Sequence, residues 1–310
     1  MGIIIDDTDI EINSEFLQKI TEKKERIDTL RPLPTDKVKN LLEEIKIKHT
    51  FHSNAIDGNT LTLKETKLVI NQGITTGGKS LKHHLKIKND YEAFNLMLEM
   101  AKSNTKITHE AIKKLHVTVT KGLQEDAGKY RTTDIKIAGL ETTPPPYNEL
   151  PKIMDEYIKN IEKLKLHPVK KVVFIHHELV RIRPFVGGNG RVARLLTNLF
   201  LMKNGYPPII LKKEEKNQYF RVLQYADNGH LSPFSTLIAK EVHESLLFYL
   251  SNLLEDEQLI PLKELSKDSP YSQEYLSLRA RQGQLDAIKI ENMWHSSKQA
   301  LEDYILKMGK

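Results

Sequence analysis

Apolar residues recur three and four positions apart along most of the chain, the spacing that places them on one face of a helix. Residues 10–48 read as two helices broken at Arg31-Pro32-Leu33-Pro34, since proline cannot continue a helix interior. Thr35 or Asp36 caps the second helix, and its buried stripe is Val38, Leu41, Leu42 and Ile45. Gly58-Asn59 forms a stop, and Thr62 with Glu65 makes a capping box for the helix that follows. Segments 81–102, 108–122, 149–165, 168–181, 190–203, 214–227 and 232–253 repeat the helical period. The rhythm breaks at residues 129–147, where Ile135 and Ile137 flank Lys136, Gly139 offers a turn and three prolines close the segment. That alternation predicts a short β-hairpin followed by an extended stretch.

Beyond Asp256 the texture changes. A helix over 262–266 leads to a second one, capped by Ser272 and running to Arg281, which Gly283 ends. AIKI and MWHS then pair around Glu291-Asn292, and a helix over 298–306 closes the unit. The pattern predicts an all-α fold with one hairpin among the helices and a small C-terminal module. The predicted divisions are N-terminal helices at 1–80, a core domain at 81–255 and the module at 256–310.

Composition narrows the setting. Among 310 residues, 39% are hydrophobic and 28% charged, the balance of a globular protein rather than a disordered one. The net charge of +6 comes from 47 basic and 41 acidic side chains, well mixed, which permits an anionic partner without arguing for one. There is no cysteine, so disulfides, thiolate nucleophiles and Cys-ligated zinc are excluded, and a reducing, cytoplasmic setting is expected. The N-terminal MGIIIDDTDIEINSEF puts acids after a short apolar run, unlike a secretory signal. The most apolar stretch, Leu195 to Met202, is far shorter than the roughly 20 residues of a membrane span, so no membrane partner is expected.

The candidate chemistry lies in Arg183-Pro184-Phe185-Val186-Gly187-Gly188-Asn189-Gly190-Arg191-Val192-Ala193-Arg194. Three glycines within four residues let backbone N–H groups converge, and the helix that follows adds its positive end, which makes an anion-binding nest. Arg191 and Arg194, three residues apart on one helix face, are placed to reach successive phosphates. The segment resembles the Fic signature His-Pro-Phe-x-Asp/Glu-Gly-Asn-Gly-Arg-x-x-Arg through Pro184, Phe185, Gly188, Asn189, Gly190, Arg191 and Arg194. The resemblance extends over roughly residues 10–250. It implies an all-helical fold and transfer of AMP from ATP to a hydroxyl of a target protein. It also implies that residues 128–146, with Ile135, Lys136 and Ile137, form a flap that holds the target by strand addition.

Two positions depart from the signature. The family's general base falls on Arg183, whose guanidinium stays protonated and accepts no proton. The family's acid, which holds Mg²⁺, falls on Gly187, which has no side chain to ligate a metal. No metal ligand is therefore assigned, and weak or absent AMP transfer is expected. His176 and His177, seven and six residues upstream of Arg183, are read as packing or surface residues rather than a substitute base.

Upstream, Ser53, Asp57 and Gly58 resemble the family's inhibitory motif, whose acid pairs with the second arginine of the signature. Aspartate is one methylene shorter than the family's glutamate, a loss of roughly 1.5 Å. The expectation is a water-bridged pair with Arg194 and a weakened brake.

The C-terminal module resembles an excisionase-type winged helix, which would turn Gln273, Arg279 and Arg281 toward a DNA groove. Its near-balanced charge weighs equally for protein docking. Two functions stay open: a nucleotidyl-transfer enzyme with a degenerate motif, and a non-catalytic ATP-binding regulator whose output is DNA or partner binding. The target protein and any homo-oligomer are left open by the sequence.

Overall fold

The computed structural model describes residues 10–75, 77–135 and 143–308. Among them the helices are α1 Ser14–Thr29, α2 Thr35–Ile56, α3 Leu63–Gln72, α4 Leu81–Lys102, α5 His109–Thr120, α6 Leu150–Lys163 and α7 Pro168–Ile182. They continue with α8 Asn189–Lys203, α9 Lys216–Asp227, α10 Ser232–Leu253, α11 Leu262–Leu265, α12 Gln273–Arg281 and α13 Lys298–Met308. Three short strands, β1 Ile260–Pro261, β2 Ala287–Ile290 and β3 Met293–Ser296, form one antiparallel sheet in the order β1-β3-β2. The helical fold expected from the hydrophobic period is present, and no described helix is long and apolar enough to cross a membrane.

The chain falls into two compact units. The first takes the described residues up to Leu17 together with Glu43–Glu241, and the second takes Gln18–Leu42 together with the described residues from Val242 on. The breaks expected at 80 and 255 are not the ones that the contacts draw. Pairing across long sequence separations, which local pattern does not reveal, sets the division instead.

In the first unit α8 is the central element, packed against α4, α5 and α7. Val192, Leu195, Leu196 and Leu199 of α8 and Val172, Val173, Ile175 and Leu179 of α7 are all fully buried. Because α8 is enclosed on every side, its polar residues Asn189, Arg191, Arg194, Thr197 and Asn198 are buried too, and each must find a partner. The capping box stands as the sequence predicts. Thr62 Oγ1 accepts from the Glu65 amide at 3.2 Å and the Glu65 carboxylate accepts from the Thr62 amide at 2.6 Å.

In the second unit, α12 begins at a Ser272 cap and the β2–β3 hairpin turns through Glu291 and Asn292, both at positive φ. The strand β1 has no sequence signal. It is two residues long and contains Pro261, which an edge position tolerates because it need not donate there. A core of Leu262, Leu265, Leu276, Ala280, Leu285, Ala287, Leu301 and Tyr304 holds these elements together.

Charged partners from α1 and α10 complete the unit. Asp286 meets Lys23 at 2.7 Å, His243 at 3.2 Å and Lys19 at 3.5 Å, while Arg26 bonds to Asp256 and Glu257. Burial works against the Asp286 charge, but His243, Lys23 and Lys19 hold its carboxyl well below the usual range. Its stabilisation is therefore present above the ordinary carboxyl pKa of 3.8 and is lost as pH falls below it. Replacing Asp286 by Ala should cost about 3 kcal/mol at neutral pH, read as a lower urea midpoint for the second unit.

Candidate functional site

The glycine loop is held from three directions. Arg183 ends α7 in the left-handed region at φ 47°, and its amide donates to the Leu179 carbonyl. Asn189 then closes the loop on itself: its Oδ1 accepts from the Phe185 amide at 3.0 Å and its Nδ2 donates to the Phe185 carbonyl at 2.8 Å. The ring of Phe185, fully buried, stacks on His116 at 3.7 Å between centroids.

His116 Nδ1 accepts from the Gly128 amide, and its Nε2 lies 2.9 Å from the Gly187 carbonyl. Those partners require a neutral ring protonated at Nε2, and burial depresses its pKa to about 4. Arg131 clamps the other side, its Nε donating to the Arg183 carbonyl at 2.9 Å and its amide to the Pro184 carbonyl at 2.8 Å. Gly188, at φ 79°, adopts a conformation that L residues disfavour, and an added Cβ would stand a tight 3.1 Å from Thr120 Cγ2. Replacing Arg131 by Ala should lower stability by about 2–4 kcal/mol, because it removes the side-chain bonds to the Arg183, Thr133 and Pro145 carbonyls, and circular dichroism melts would read the loss.

The loop opens on a cleft of about 710 Å³, lined by Gly187 to Gly190, Arg183, Arg194, Asp57, Tyr219, Phe220, Leu223 and Asp227 among others. The first turn of α8 has no side-chain cap, so its amides and its positive end face the cleft, with the Asp57 carboxylate close to Gly190. Arg183 is half-buried, and its guanidinium has no hydrogen-bond partner among the described residues. Burial lowers its pKa somewhat, yet a guanidinium stays charged.

The arrangement corrects several expectations. The Asn189 side chain is spent on the loop, so only its backbone remains for a ligand. Arg191 is buried and turned away from the cleft, donating to the Val119 carbonyl at 2.7 Å. Asp57 is not separated from Arg194 by water. Its Oδ1 accepts from Arg194 Nη2 at 3.0 Å, and its Oδ2 lies 3.5 Å from Arg191 Nε. The shorter acid reaches because α2 itself abuts the guanidinium: the Ser53 hydroxyl and carbonyl each accept from Arg194 at 2.9 Å. Gly58, at φ 85°, ends this segment as expected.

His176 and His177 are packing residues, and both are buried rather than on the surface. His176 bridges Thr197 and the Tyr219 hydroxyl, with its pKa depressed to about 3 by burial, and His177 bonds to Asp227 at 3.0 Å.

The Mg²⁺ that the signature implies does not fit this donor set. Gly187 offers no ligand, and the place where its side chain would start is taken by the Gln124 amide, 2.4 Å from an added Cβ. The cleft's two carboxylates are engaged, Asp57 with both arginines and Asp227 with His177.

Of the flap residues, Ile135 is described and carries no strand, and Lys136 and Ile137 lie outside the described residues. In the second unit, Gln273 and Arg281 are exposed on α12. Arg279 is instead held by Gln282 and Gln284, at 2.9 Å each, and lies over the Tyr275 ring.

The helical scaffold thus presents a helix start without a side-chain cap, a closed glycine loop and the arginines 183 and 194 to one cleft, an arrangement suited to an anion. Residues 106–201 are a Fic/DOC family domain. Over 247 residues the chain is 30% identical to the protein adenylyltransferase Fic of Nematostella vectensis, covering 78% of this chain and 57% of that one. The chain spans about half the length of the curated relatives it matches. Among solved structures, Fic-1 from C. elegans matches with a TM-score of 0.69 at 27% identity, covering 76% of this chain and 71% of that one. A Fic domain containing signaling protein from Bacteroides thetaiotaomicron also gives 0.69 at 27%, covering 76% and 96% respectively.

Proposed function

We propose that the cleft binds the phosphates of ATP, and that this chain is a Fic-family AMP transferase whose chemistry is disabled at two positions. One observation carries the reading: an Arg183 guanidinium with no hydrogen-bond partner among the described residues stands where the signature has its proton acceptor, in the cleft that the start of α8 lines. That geometry supports anion binding through Arg183, Arg194 and the amides of Gly188, Asn189 and Gly190. It supplies no proton acceptor at 183 and no carboxylate at 187. The name protein adenylyltransferase, borne by the relatives, supports ATP as the nucleotide and a protein hydroxyl as the inherited target.

Calorimetry tests the binding half. ATP should bind detectably in the absence of metal, and Arg183→Ala should weaken it by about tenfold, the worth of one charge-assisted contact. A folded protein that gives no heat at millimolar ATP would refute this reading.

A non-catalytic regulator acting through the second unit is the other reading, supported by the same arginine at 183. The exposed Leu278 on α12 and the restrained Arg279 favour a protein partner over DNA as its output. ATP-dependent retention on DNA at low salt would reverse that preference.

A further inference from the structure

Behind Arg194 lies a carboxyl group that nucleotide binding as described above does not use. Asp90 on α4 is fully buried, and the Ser53 hydroxyl, which itself accepts from Arg194 Nε at 2.9 Å, is the hydrogen-bonding side chain that faces it, with neither carboxyl oxygen in a well-formed bond among the described residues. A buried polar group left in that condition is uncommon and calls for a reason.

Ionisable and polar groups face it from two sides. From α2 come His49, whose Nδ1 is 3.9 Å from Asp90 Oδ2, and Ser53, with Asp57 just past the helix end. From α8 come Arg191 and Arg194. His49 is buried with both ring nitrogens unpartnered, and burial, then the Arg194 charge, holds its pKa down to about 3, so it is neutral. Lys86, on α4 itself, bears on Arg191 and Asp57. Of the other helices packed on α4, α3 carries Lys64, Glu65 and Lys67, none of them buried. The buried ionisable residue of α5, His116, is turned to Gly128 and Gly187.

Arg191 and Arg194 pair with Asp57 at the cleft, and their charges also bear on Asp90 in the core. Burial pushes the Asp90 pKa up to about 7 against the pull of Arg191 and Arg194, and the Asp57 charge adds to the rise. Whatever anion sits on Arg194 therefore acts on the Asp90 proton. A phosphate brings more negative charge than the carboxylate it displaces, and a like charge nearby favours the neutral acid. Removal of the anion leaves the arginines uncompensated and favours the ionised form.

We propose that Asp90 is a proton-binding site linked to the occupant of Arg194, so that a nucleotide phosphate displacing Asp57 is bound together with a proton on Asp90. The proton comes from solvent and goes to a carboxylate oxygen of Asp90, and no bond of the nucleotide changes. The linkage is reciprocal, so nucleotide affinity falls as pH rises through the Asp90 titration. The proposal rests on the phosphate-binding reading of the cleft, and its test separates the two.

The full chain, with ¹³C-labelled aspartate carboxyls, is titrated by NMR across neutral pH, the Asp90 signal being identified by its loss in Asp90→Asn. Its midpoint should lie near 7 without ligand. It should fall by roughly one pH unit in Asp57→Asn and rise by a similar amount with saturating ATP.

A midpoint in the ordinary carboxyl range near 3.8, or one unmoved in Asp57→Asn, overturns the proposal. If ATP perturbs cleft signals but not the Asp90 midpoint, the linkage is wrong and nucleotide binding stands. If ATP perturbs nothing, nucleotide binding and the ligand half of the proposal both fail, while the Asp57→Asn arm still decides the charge coupling.

Stability gives an independent check. Between the ordinary 3.8 and about 7, the folded chain holds a proton that the unfolded chain has released, so Asp90 makes stability fall as pH rises through that window. Asp90→Asn should remove this slope, and a wild-type slope that persists in the variant would count against a raised Asp90.

Discussion

The double variant Arg183→His, Gly187→Asp should transfer AMP from ATP to protein at least ~10²-fold faster than the unmodified chain, whose transfer should be at the detection limit. Histidine at 183 supplies a ring whose neutral form is present near pH 7, in the place where a guanidinium now accepts nothing. The backbone there is already left-handed, a conformation histidine adopts more readily than most residues, so the exchange costs little in geometry. Aspartate at 187 supplies the carboxylate that the signature pairs with Mg²⁺, provided the Gln124 amide swings aside, as the end of a flexible side chain can. Both groups serve one transition state, so the two changes together should exceed the product of the single effects. Labelled ATP with purified protein and with lysate measures this. Robust self-labelling by the unmodified chain would defeat the assignment of roles at 183 and 187.

Asp57→Gly should then raise the transfer rate of that double variant about tenfold further, because the direct Arg194–Asp57 pair occupies the guanidinium that the phosphates need. In the unmodified chain the same substitution should leave transfer negligible, since releasing the arginine supplies no base. It should also lower stability by about 2–3 kcal/mol: Arg194 keeps its bonds to Ser53 but loses the carboxylate that offsets its burial. ATP should recover more of the melting temperature in Asp57→Gly than in the parent, because the phosphate replaces a missing counter-ion rather than displacing one. Equal ATP-induced shifts in the two proteins would show that Asp57 and phosphate do not compete.

Local signals carried much of the fold. Thr62 with Glu65, the Ser272 cap, the prolines at 32 and 34, and the hydrophobic period located helices to within a few residues, because caps and periodicity are properties of neighbouring positions. The glycine loop was legible for the same reason. His116, Arg131, Gln124 and Asp90 were not, although each touches or faces the loop or its arginines. They lie on elements distant in sequence, and a lone histidine or aspartate on a helix carries no mark of what it will face. Asp57 was legible as a candidate partner but misjudged in reach, since side-chain length says nothing about how closely the two backbones approach. The same limit hid Asn189's role, because a loop residue that bonds back to its own loop looks, in sequence, like one offered to a ligand.

The composition of the second unit bears on how this chain is made. Gln18–Leu42 must find residues from Val242 onward, a separation of about 200 positions, before Asp286 can meet Lys19 and Lys23. Closing so large a loop adds only a logarithmic entropy cost, but it orders events in time. During synthesis the early segment leaves the ribosome long before its partners exist, and its apolar face stays exposed for as long as the intervening residues take to appear. The second unit can therefore be assembled only after the residues from Val242 onward have been made, and slowing elongation between positions 42 and 242 should raise aggregation or the demand for chaperones.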